Sequence, residues 1–372
     1  MRKIKIAQVI GPAVNGGTEA YAKNYYMHID RVKVSFDFLV ESESKIINRK
    51  EIEKLGGHIV IIPSYKNPFK YMRALKHIFK ENKYDIVHSN MNTLSFFTLR
   101  AAKKAKVKIR IAHSHSTGNS KEKIKNIIKN MLRPLSKIYA TDYFACSELA
   151  GRYLFGNKAF DKGLVTIINN GVDINKFKYN EEYNVCLRKE LNIDGNTKII
   201  GHVGRFVPQK NHAYLIKIFN EIHKLDSNTK LLLLGEGPLV NEIKNKVHNL
   251  GLDDNVIFAG TKEDIYKYYS VMDIFIFPSL YEGLGLTGVE AQVSGLHCLV
   301  SNNIPHELEI TQNIDFLSIE DNPQRWALRC IEVLNNNALN RNASYEKVKN
   351  TKFDINSEAN KLLIYYEAML KR

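Results

Sequence analysis

The sequence predicts an α/β protein made of two Rossmann-like domains, each a doubly wound parallel sheet, that face each other across a central cleft. Two observations lead to this fold class. The chain has 372 residues, more than one hydrophobic core usually holds, and 44% of them are hydrophobic. Short apolar runs rich in Val, Ile and Leu also alternate with longer helical patterns, which indicates βαβ units.

The predicted strands form two series, separated by a polar, turn-rich segment at 169–196. The first series is IKIAQVI, VSFDFLV, HIVII, YDIVHSN, KIRIAH, DYFACS and LVTIIN. The second is KIIGHVG, KLLLLG, NVIFAG, DIFIFP and HCLVS. We therefore predict an N-terminal domain over 1–175 and a C-terminal domain over 176–352, joined by the polar segment. Residues 353–372 have apolar positions at helical spacing and predict a helix that closes back toward the N-terminal domain.

Composition argues against several classes of protein. The four cysteines lie far apart without a Cys-x-x-Cys pair, which argues against a disulfide framework or a zinc site and favours a reducing cytosol; they are Cys146, Cys186, Cys298 and Cys330. The N-terminus MRKIKIAQVIGPAV resembles a signal peptide, but its apolar run is short and we interpret it as the first strand. No apolar segment approaches the ~20 residues that a membrane-spanning helix needs.

The net charge of +15 comes entirely from the first half of the chain. Residues 1–175 contain 31 Lys and Arg against 14 Asp and Glu, whereas residues 176–372 contain 23 against 25. The excess peaks in RAAKKAKVKIR, 100–110, and in KEKIKNIIKNMLRPLSK, 121–137. The second segment predicts a basic amphipathic helix, with one side formed by Lys121, Lys125, Lys129 and Arg133. Such a helix suits an anionic membrane surface, and it equally suits packing on its own sheet with solvated lysines.

Two glycine-rich turns follow predicted strands. GPAVNGGTEA, residues 11–20, comes within one residue of a Walker A loop, but Gly17 stands where the lysine belongs, which disfavours a P-loop ATPase. Gly16 and Gly17 let the backbone approach a ligand closely, and we predict that both contact one. GEGPLV, 235–240, imitates a dinucleotide fingerprint, but Val240 replaces its third glycine. A tight turn without a ligand is the alternative for both.

The segment VGRFVPQKNH is more specific. Arg205 directly follows the predicted strand KIIGHVG, and Lys210 lies five residues further on, where we expect the next helix to begin. Two cations at the carboxyl end of a strand, beside a helix N-terminus, suit a diphosphate. Solvated surface charge explains this segment equally well when it is taken alone, and the acidic motif downstream favours the diphosphate.

The segment SLYEGLGLTGVEAQVSG, 279–295, places Glu282 and Glu290 among four glycines after the strand DIFIFP. If a helix starts near Leu286, the backbone N–H groups of 285–288 can hold phosphate oxygens. Glu290 then lies in the first turn or two, where a carboxylate can accept both vicinal hydroxyls of a ribose. Glu282, before the turn, would face a sugar or its acceptor. Two acids that only flank a helix are the alternative.

Two histidines, His113 and His115, lie at the end of the predicted strand KIRIAH. In a doubly wound sheet this strand end faces the cleft. Spacing alone fits a loop histidine held by its neighbours as well as it fits an active-site residue, and it leaves open which of the two would act.

Taken in order, these motifs resemble glycosyltransferase family 4, the retaining, nucleotide-sugar-dependent enzymes of the GT-B fold. The resemblance covers nearly the whole chain through GGTEAY, SHST, CSELA, NNGVD, GRFVPQKN, GEGPL, FAG and PSLYEGLGLTGVEAQVSG. The last motif is similar to the E-x7-E element of the family, with Glu282 and Glu290 on its two acids. Two departures, His297 in place of a common proline and no proline or phenylalanine near Gly285, bear on how the donor sugar is held.

The resemblance implies a retaining, metal-independent hexosyltransferase that moves a sugar from a nucleotide-diphosphate sugar, with UDP favoured, to a glycan acceptor. It implies an acceptor-binding N-terminal domain and a nucleotide-sugar-binding C-terminal domain. By resemblance the donor contacts are Gly16, Gly17, Arg205, Lys210, Gly260, Thr261, Lys262, Glu282, Gly285, Leu286, Thr287 and Glu290. The catalytic residues so implied are Arg205, Lys210, Glu282 and His115.

The mechanism implied by the resemblance needs no metal ion and no cofactor. The departing diphosphate helps to deprotonate the acceptor hydroxyl, and the protein stabilises the negative charge of that leaving group. The sequence agrees, because it contains no Asp-x-Asp triplet of the kind that bridges a cation to the diphosphate.

Other functions fit parts of this pattern. A nucleotide-sugar 2-epimerase on the same fold would turn over the donor without an acceptor, and a non-catalytic nucleotide-sugar-binding subunit would not need the intact cations and glutamates. The basic half gives only weak support for nucleic-acid binding, since no recognised motif accompanies it, and we expect no nucleic acid partner. We expect a cytoplasmic protein, peripheral at the inner face of the cell membrane, that acts on a lipid-linked acceptor in capsule or exopolysaccharide synthesis.

Overall fold

A computed structural model of the protein describes residues 2–11, 17–41, 49–115, 133–336, 341–349 and 351–372. The chain forms two compact units. Unit 1 comprises Met1–Gly171 and Lys352–Arg372, and unit 2 comprises Val172–Thr351. Each unit contains one parallel sheet with helices between its strands, so the predicted Rossmann-like fold class is confirmed.

Unit 1 contains a sheet of seven strands in the described part of the chain. They are β1 (Ile4–Gly11), β2 (Val34–Glu41), β3 (His58–Ile62), β4 (Ile86–Ser89), β5 (Ile109–Ser114), β6 (Asp142–Ala145) and β7 (Val165–Ile167). Their order is β3-β2-β1-β4-β5-β6-β7, and each neighbouring pair is parallel. All seven begin within the apolar runs that the sequence marked as strands, and β1, β2 and β5 extend one residue beyond them.

The described helices of unit 1 lie between these strands in the chain, apart from the C-terminal α15. They are α1 (Gly17–His28), α2 (Arg49–Lys54), α3 (Pro68–Asn82), α4 (Ser95–Lys104), α5 (Glu148–Phe155), α6 (Asn157–Asp161) and the C-terminal α15 (Ile355–Leu370). The predicted basic helix at 121–137 lies mostly outside the described residues, since only 133–137 are described and Pro134–Lys137 forms a 3₁₀ turn.

The C-terminal helix α15 belongs to the core of unit 1. Asp354 caps its N-terminus by accepting a hydrogen bond from the backbone N–H of Asn356. Its apolar face packs with β1, β2 and α1 in one hydrophobic cluster. Glycine is required at Gly171, because a Cβ there would lie 2.6 Å from the Cα of Ile355. The close crossing at Gly171 lets the helix start against the last residue of the N-terminal segment.

Unit 2 contains six described strands. They are β8 (Lys198–Val203), β9 (Thr229–Leu234), β10 (Val256–Gly260), β11 (Ile274–Phe277), β12 (His297–Ser301) and β13 (Ile314–Leu317). Their order is β10-β9-β8-β11-β12-β13, again with parallel neighbours.

The sequence analysis missed β13, whose short run IDFL is interrupted by Asp315. That carboxylate is 2.8 Å from His297 Nε2 and 2.8 Å from Arg329 Nε, so His297 has a structural partner.

The described helices of unit 2 pack around this sheet. They are α7 (Ile174–Phe177), α8 (Glu181–Glu190), α9 (His212–Leu225), α10 (Val240–Asn249), α11 (Ile265–Val271), α12 (Leu286–Val293), α13 (Pro323–Asn335) and α14 (Arg341–Val348). α9, α10 and α13 bury their apolar faces in one core that includes Trp326, the single tryptophan of the chain. None of the helices in the described ranges of either unit is long and apolar enough to cross a membrane.

Arg341 joins the ends of two helices in unit 2. Its guanidinium donates five hydrogen bonds to groups at the C-termini of α11 and α12, namely the carbonyls of Tyr269, Ser270, Met272 and Ser294 and the Ser294 hydroxyl. A cation at a helix C-terminus also opposes the negative end of the helix dipole. Burial lowers the pKa of Arg341 to about 10, which leaves it charged at neutral pH.

We predict that Arg341→Leu destabilises unit 2 by about 2 to 5 kcal/mol, because it leaves several buried carbonyls without donors. The measurement is urea unfolding followed by the fluorescence of Trp326, which reports on unit 2. The matched control is Arg325→Leu, since the Arg325 side chain is 69% exposed and makes one ion pair with Asp321. Its loss should cost less than about 1 kcal/mol. Equal unfolding midpoints for the two variants would contradict this assignment.

Candidate active site

The residues that the sequence predicts in unit 2 lie where three strands end. β8 ends at Val203, just before Arg205, β10 ends at Gly260, and β11 ends at Phe277. Since parallel strands point the same way, their carboxyl ends lie at one edge of the sheet. The strand order β10-β9-β8-β11 places these turns next to one another along that edge.

Backbone contacts fix these turns against each other. The N–H of Gly235, after β9, donates to the carbonyl of Gly260 at 2.9 Å, and the N–H of Leu280, after β11, donates to the carbonyl of Gln209 at 2.8 Å. Gly235 has a φ of +129°, and a Cβ there would lie 2.2 Å from the carbonyl oxygen of Gly204. Only glycine therefore fits at this crossing.

Lys210 and Glu282 form an ion pair at this edge. Lys210 Nζ lies 2.7 Å from Glu282 Oε1, and the two side chains are only 14% and 8% exposed. Lys210 ends a 3₁₀ turn, Pro208–Lys210, two residues before α9, so it precedes the helix that the sequence expected it to begin. An ammonium group has three N–H donors, so one bond to Glu282 leaves two for other acceptors.

The aromatic ring of Phe277 contacts the ammonium group of Lys210. Lys210 Nζ lies 4.7 Å from the centroid of the Phe277 ring, within the range of a cation–π interaction. The same ring excludes a side chain at Gly285, where a Cβ would lie 2.8 Å from Phe277 Cε1. Gly285 also has a φ of +81°, a left-handed conformation that favours glycine. One aromatic ring thus positions both the lysine and the turn that precedes α12.

α12 begins at Leu286, in agreement with the helix start that the sequence analysis placed near this residue. The first N–H groups of a helix have no partner within it, which makes the turn a site for an anion. The N–H of Gly288 is an exception, since it donates to the carbonyl of Gly285 at 2.8 Å. The hydroxyl of Thr287 is buried without a hydrogen-bond partner among the described residues.

Glu290 lies in the second turn of α12 and is partly buried. Its Oε2 accepts a hydrogen bond from the hydroxyl of Tyr269 at 2.7 Å. Burial raises the pKa of Glu290 to about 7, although the Tyr269 hydroxyl and the charge of Lys210 act in the opposite direction. The carboxyl group therefore changes its charge near neutral pH, and a ligand that donates hydrogen bonds to it would favour the charged form.

Arg205 and the turn after β10 form the more open side of this edge. Arg205 is exposed and makes no ion pair with any residue in the described ranges. Thr261 is exposed, and Lys262 Nζ lies 5.7 Å from the centroid of the Tyr268 ring. The exposed Arg205 and Thr261 side chains are available to a ligand, whereas Lys210, Glu282 and Glu290 already contact protein groups.

The sequence analysis missed two buried histidines near Lys210, His202 and His212, and the buried Ser279. His202 Nδ1 donates to a backbone carbonyl of β11 at 2.8 Å. His202 Nε2, both ring nitrogens of His212 and the Ser279 hydroxyl have no partner among the described residues. Burial lowers the pKa of His212 to about 4 and the pKa of His202 well below its usual value, so both rings are neutral. A histidine inside the apolar run KIIGHVG was the signal that could have marked this cluster.

In unit 1 the predicted residues are Gly16, Gly17 and His115, with His113 as the alternative. Gly16 lies outside the described residues, and Gly17 begins α1. His115 follows β5, and its Nε2 lies 2.8 Å from Asn90 Oδ1. His113 is wholly buried and stacks on His115 with the ring centroids 3.9 Å apart. The two histidines are therefore one cluster.

Two family models match the chain. The model described as Glycosyltransferase Family 4 matches residues 15–176, and the model described as Glycosyl transferases group 1 matches residues 186–350.

Three curated relatives extend this match. A protein of Bacillus subtilis named putative glycosyltransferase EpsF is 33% identical over 87% of this chain and 86% of its own length. An Escherichia coli protein named UDP-Gal:alpha-D-GlcNAc-diphosphoundecaprenol alpha-1,3-galactosyltransferase is 27% identical over 68% of this chain and 67% of its own. The Staphylococcus aureus capsular polysaccharide biosynthesis glycosyltransferase CapH is 28% identical over 87% of this chain and 89% of its own.

A solved structure carries the same fold. The crystal structure of HepE from Anabaena in complex with UDP superposes with a TM-score of 0.79 at 18% identity, covering 98% of this chain and 100% of that one. HepE was also solved in complex with UDP-glucose. The likeness shows the GT-B fold.

We predict that Glu290 makes the stability of unit 2 depend on pH. Because its pKa in the folded protein, about 7, lies above the usual 4.5, its contribution is complete below about pH 4.5 and is lost as the pH rises through 7. The free energy of unfolding of the wild type, compared with that of Glu290→Gln, should fall by at most about 3 kcal/mol between pH 4.5 and pH 8. Urea unfolding followed by Trp326 fluorescence measures it, and parallel pH profiles for the two proteins would refute the shifted pKa.

Proposed function

We propose that this chain, which belongs to glycosyltransferase family 4, moves a sugar from a nucleoside diphosphate sugar to a glycan acceptor in the synthesis of a surface polysaccharide. The family makes it a glycosyltransferase of the GT-B fold, related to enzymes of capsular polysaccharide synthesis. One observation supports a nucleoside diphosphate sugar as the donor. Lys210, the N-terminus of α12 and the ionisable Glu290 lie together at one edge of the sheet of unit 2.

The donor diphosphate would bind Lys210, Arg205 and the N-terminus of α12. Lys210 can keep its bond to Glu282 and still offer two N–H donors to phosphate oxygens. Arg205 is exposed and can turn onto the ligand without breaking an ion pair within the described residues. Gly285 precedes the helix and Leu286 begins it, and the Thr287 hydroxyl, which has no partner among the described residues, adds a donor to the first turn. Backbone N–H groups and two cations together suit a doubly charged group.

We assign the ribose to Glu290 and the base to the turn Gly260–Lys262. A ribose offers two vicinal hydroxyl donors, which would bind best to the charged carboxylate. Its binding would therefore lower the pKa of Glu290. Uracil is the favoured base, because the E. coli relative is named for UDP-Gal and the HepE structures contain UDP or UDP-glucose. Glu282 would lie near the transferred sugar while it holds Lys210 in place.

We propose that the transfer retains the configuration of the sugar. The bond from the anomeric carbon to the diphosphate oxygen breaks, the bond to the acceptor oxygen forms on the same face, and the acceptor proton passes to the departing phosphate oxygen. Arg205, Lys210 and the N-terminus of α12 stabilise the negative charge that develops on the diphosphate. His115 of unit 1 is carried over as a catalytic residue from the family resemblance, and the proposed reaction uses no metal ion.

The acceptor is proposed to be lipid-linked. The E. coli relative is named for a diphosphoundecaprenol-linked acceptor. In unit 1, α3 packs on α4, and the outer sides of these two helices carry exposed cations that include Lys70, Arg73, Lys103 and Lys104. Phe69 lies beside Lys70 and is 83% exposed. An exposed aromatic ring among cations suits the surface of an anionic bilayer, where each Lys or Arg contributes roughly 1 kcal/mol.

The donor class is tested by thermal unfolding, followed by Trp326 fluorescence, in the presence of UDP, GDP or ADP. UDP should raise the unfolding temperature most, because a ligand bound to the folded protein stabilises it by mass action. In Glu290→Gln the affinity for UDP should fall by about 1.5 to 3 kcal/mol, the value of a charged hydrogen bond. A larger shift with GDP or ADP would overturn the choice of base, and no shift with any of the three would overturn the donor site.

Replacing either Arg205 or Lys210 by Ala should lower kcat by about 10² to 10³, the usual effect of losing one preorganised donor to a developing charge. The measurement is UDP release from UDP-glucose, or from the UDP-sugar that stabilises the protein most. Lys217→Ala is the matched control, since Lys217 is an exposed lysine on α9. Activity should survive EDTA. Full activity in both site variants, with their unfolding temperatures unchanged, would refute the diphosphate assignment.

Membrane docking is tested by co-sedimentation with vesicles of phosphatidylglycerol and phosphatidylcholine. Binding should need the anionic lipid, weaken as salt rises, and fall at least about tenfold when Lys70, Arg73, Lys103 and Lys104 become Gln. The matched control changes four exposed lysines of unit 2 to Gln, namely Lys189, Lys217, Lys347 and Lys349. Equal loss in both variants would show general charge attraction, and no binding at low salt would make a soluble acceptor the better proposal.

A further inference from the structure

Six buried or partly buried polar side chains of unit 1 contact one another in a closed ring that includes His113 of β5. His115 Nε2 lies 2.8 Å from Asn90 Oδ1, and Asn90 Nδ2 donates to Gln8 Oε1 at 2.9 Å. Gln8 Nε2 donates to the hydroxyl of Tyr366 at 3.0 Å. The remaining contacts are Tyr366 hydroxyl to His88 Nδ1, 2.7 Å, and His88 Nε2 to His113 Nδ1, 2.9 Å. His113 closes the circuit by stacking on His115, and we call these residues the polar circuit.

The amide side of the polar circuit determines the protonated nitrogen of His115. Because Asn90 Nδ2 donates to Gln8, the Oδ1 atom of Asn90 faces His115 as an acceptor. An acceptor needs a donor, so His115 carries its proton on Nε2. Its Nδ1 is then a bare lone pair, and this atom is buried without a partner among the described residues.

The hydroxyl of Tyr366 determines which ring nitrogens of His88 and His113 carry the proton. Tyr366 accepts a bond from Gln8, so its own proton requires an acceptor, and His88 Nδ1 lies 2.7 Å away. His88 then carries its proton on Nε2 and donates to His113 Nδ1, which leaves the proton of His113 on Nε2. The reverse direction would leave the Tyr366 proton without an acceptor in a wholly buried position, which costs free energy.

The histidines and Tyr366 of the polar circuit do not change protonation state near neutral pH. Burial lowers the pKa values of His88 and His115 to about 3 and lowers that of His113 well below its usual value. Burial also raises the pKa of Tyr366 above its usual 10.0. The three rings are neutral, so each carries a single proton, and its location on one nitrogen is the remaining variable.

The result is a matched pair of groups. His113 Nε2 is a donor and His115 Nδ1 is an acceptor, and both are unpartnered among the described residues. The ring of Tyr21, whose hydroxyl is also unpartnered there, lies with its centroid 4.9 Å from that of His113 and 4.7 Å from that of His115. A hydroxyl group both donates and accepts, so it can satisfy both histidines, whereas two donors or two acceptors could not bind it as well.

We propose that Tyr366 is a positioning residue, whose hydroxyl fixes the protonated nitrogens of His113 and His115 through His88 and Gln8 and so determines which ring nitrogens at the end of β5 donate and which accept. The proposal rests on the proposed function, because that function gives His115 a role in the transfer reaction. Tyr366 comes from α15, so the helix that closes the chain also sets the chemistry at the end of β5.

The first test uses the native protein. Nitrogen-15 NMR of protein labelled in histidine distinguishes protonated from bare ring nitrogens, and His→Gln variants assign the signals. We expect His88, His113 and His115 each to carry the proton on Nε2. A proton on Nδ1 of either His113 or His115 would overturn the proposal, whatever any variant does.

The second test compares Tyr366→Phe with Tyr365→Phe. Both remove one hydroxyl from neighbouring positions of α15, but Tyr365 is outside the polar circuit and packs its ring on Phe144. In Tyr366→Phe the donor to His88 is lost, so a signal from His113 protonated on Nδ1 should appear. Tyr365→Phe should keep the native pattern. Unchanged spectra in Tyr366→Phe, or equal changes in both variants, would overturn the proposal.

Turnover then separates this inference from the proposed function. Tyr366→Phe should lower kcat for transfer from UDP-glucose, or from the most stabilising UDP-sugar, by on the order of 10²-fold, with little change in KM for the donor. Tyr365→Phe should retain the native kcat. An altered proton pattern with native kcat would refute the positioning role while donor binding by unit 2 stands, whereas failure of UDP to bind the wild type would refute the proposed function.

Discussion

The ion pair between Lys210 and Glu282 is the interaction on which the candidate site depends. Two charges with side chains 14% and 8% exposed are costly to bury, and one bond between them does not by itself offset the loss of water. The Phe277 ring beneath Lys210 adds a cation–π contact, and Glu290 nearby interacts with the same charge. The lysine keeps two further N–H donors, which can bind an anionic ligand. This is why we interpret the pair as part of a diphosphate site and not as a stabilising device.

A common physical feature links the two units. Each has buried polar atoms without partners among the described residues at the carboxyl ends of its strands, such as His202 Nε2 in unit 2 and His115 Nδ1 in unit 1. A buried polar atom without a partner costs free energy, and such costs concentrate where function requires them. In unit 1 the polar circuit makes His113 Nε2 a donor and His115 Nδ1 an acceptor. In unit 2 the neutral rings of His202 and His212 lie near the charged Lys210.

The fold could be predicted because its signals are local. Apolar runs predicted twelve of the thirteen described strands, and the glycine-rich turn after β11 was expected to lead into a helix near Leu286. Only β13 was missed, because Asp315 interrupts its short run. The contacts that define the site join distant parts of the chain. Lys210 and Glu282 are 72 residues apart, and Tyr366 and His88 are 278 apart, so no local pattern predicts either pair. The family resemblance named Lys210, Glu282 and Glu290, but not Tyr269, Phe277 or Tyr366, which hold or orient site residues. The assigned roles remain predictions.

The central claim is that a donor diphosphate binds at the edge of unit 2, on Lys210 and the first turn of α12, while the ion pair with Glu282 remains intact. A crystal structure of the protein with UDP tests it most directly. We predict a phosphate oxygen within hydrogen-bond distance of both Lys210 Nζ and a backbone N–H of residues 285–287, the ribose on Glu290, and Glu282 still bonded to Lys210. A diphosphate bound elsewhere, or one that displaces Glu282 from Lys210, would contradict the account.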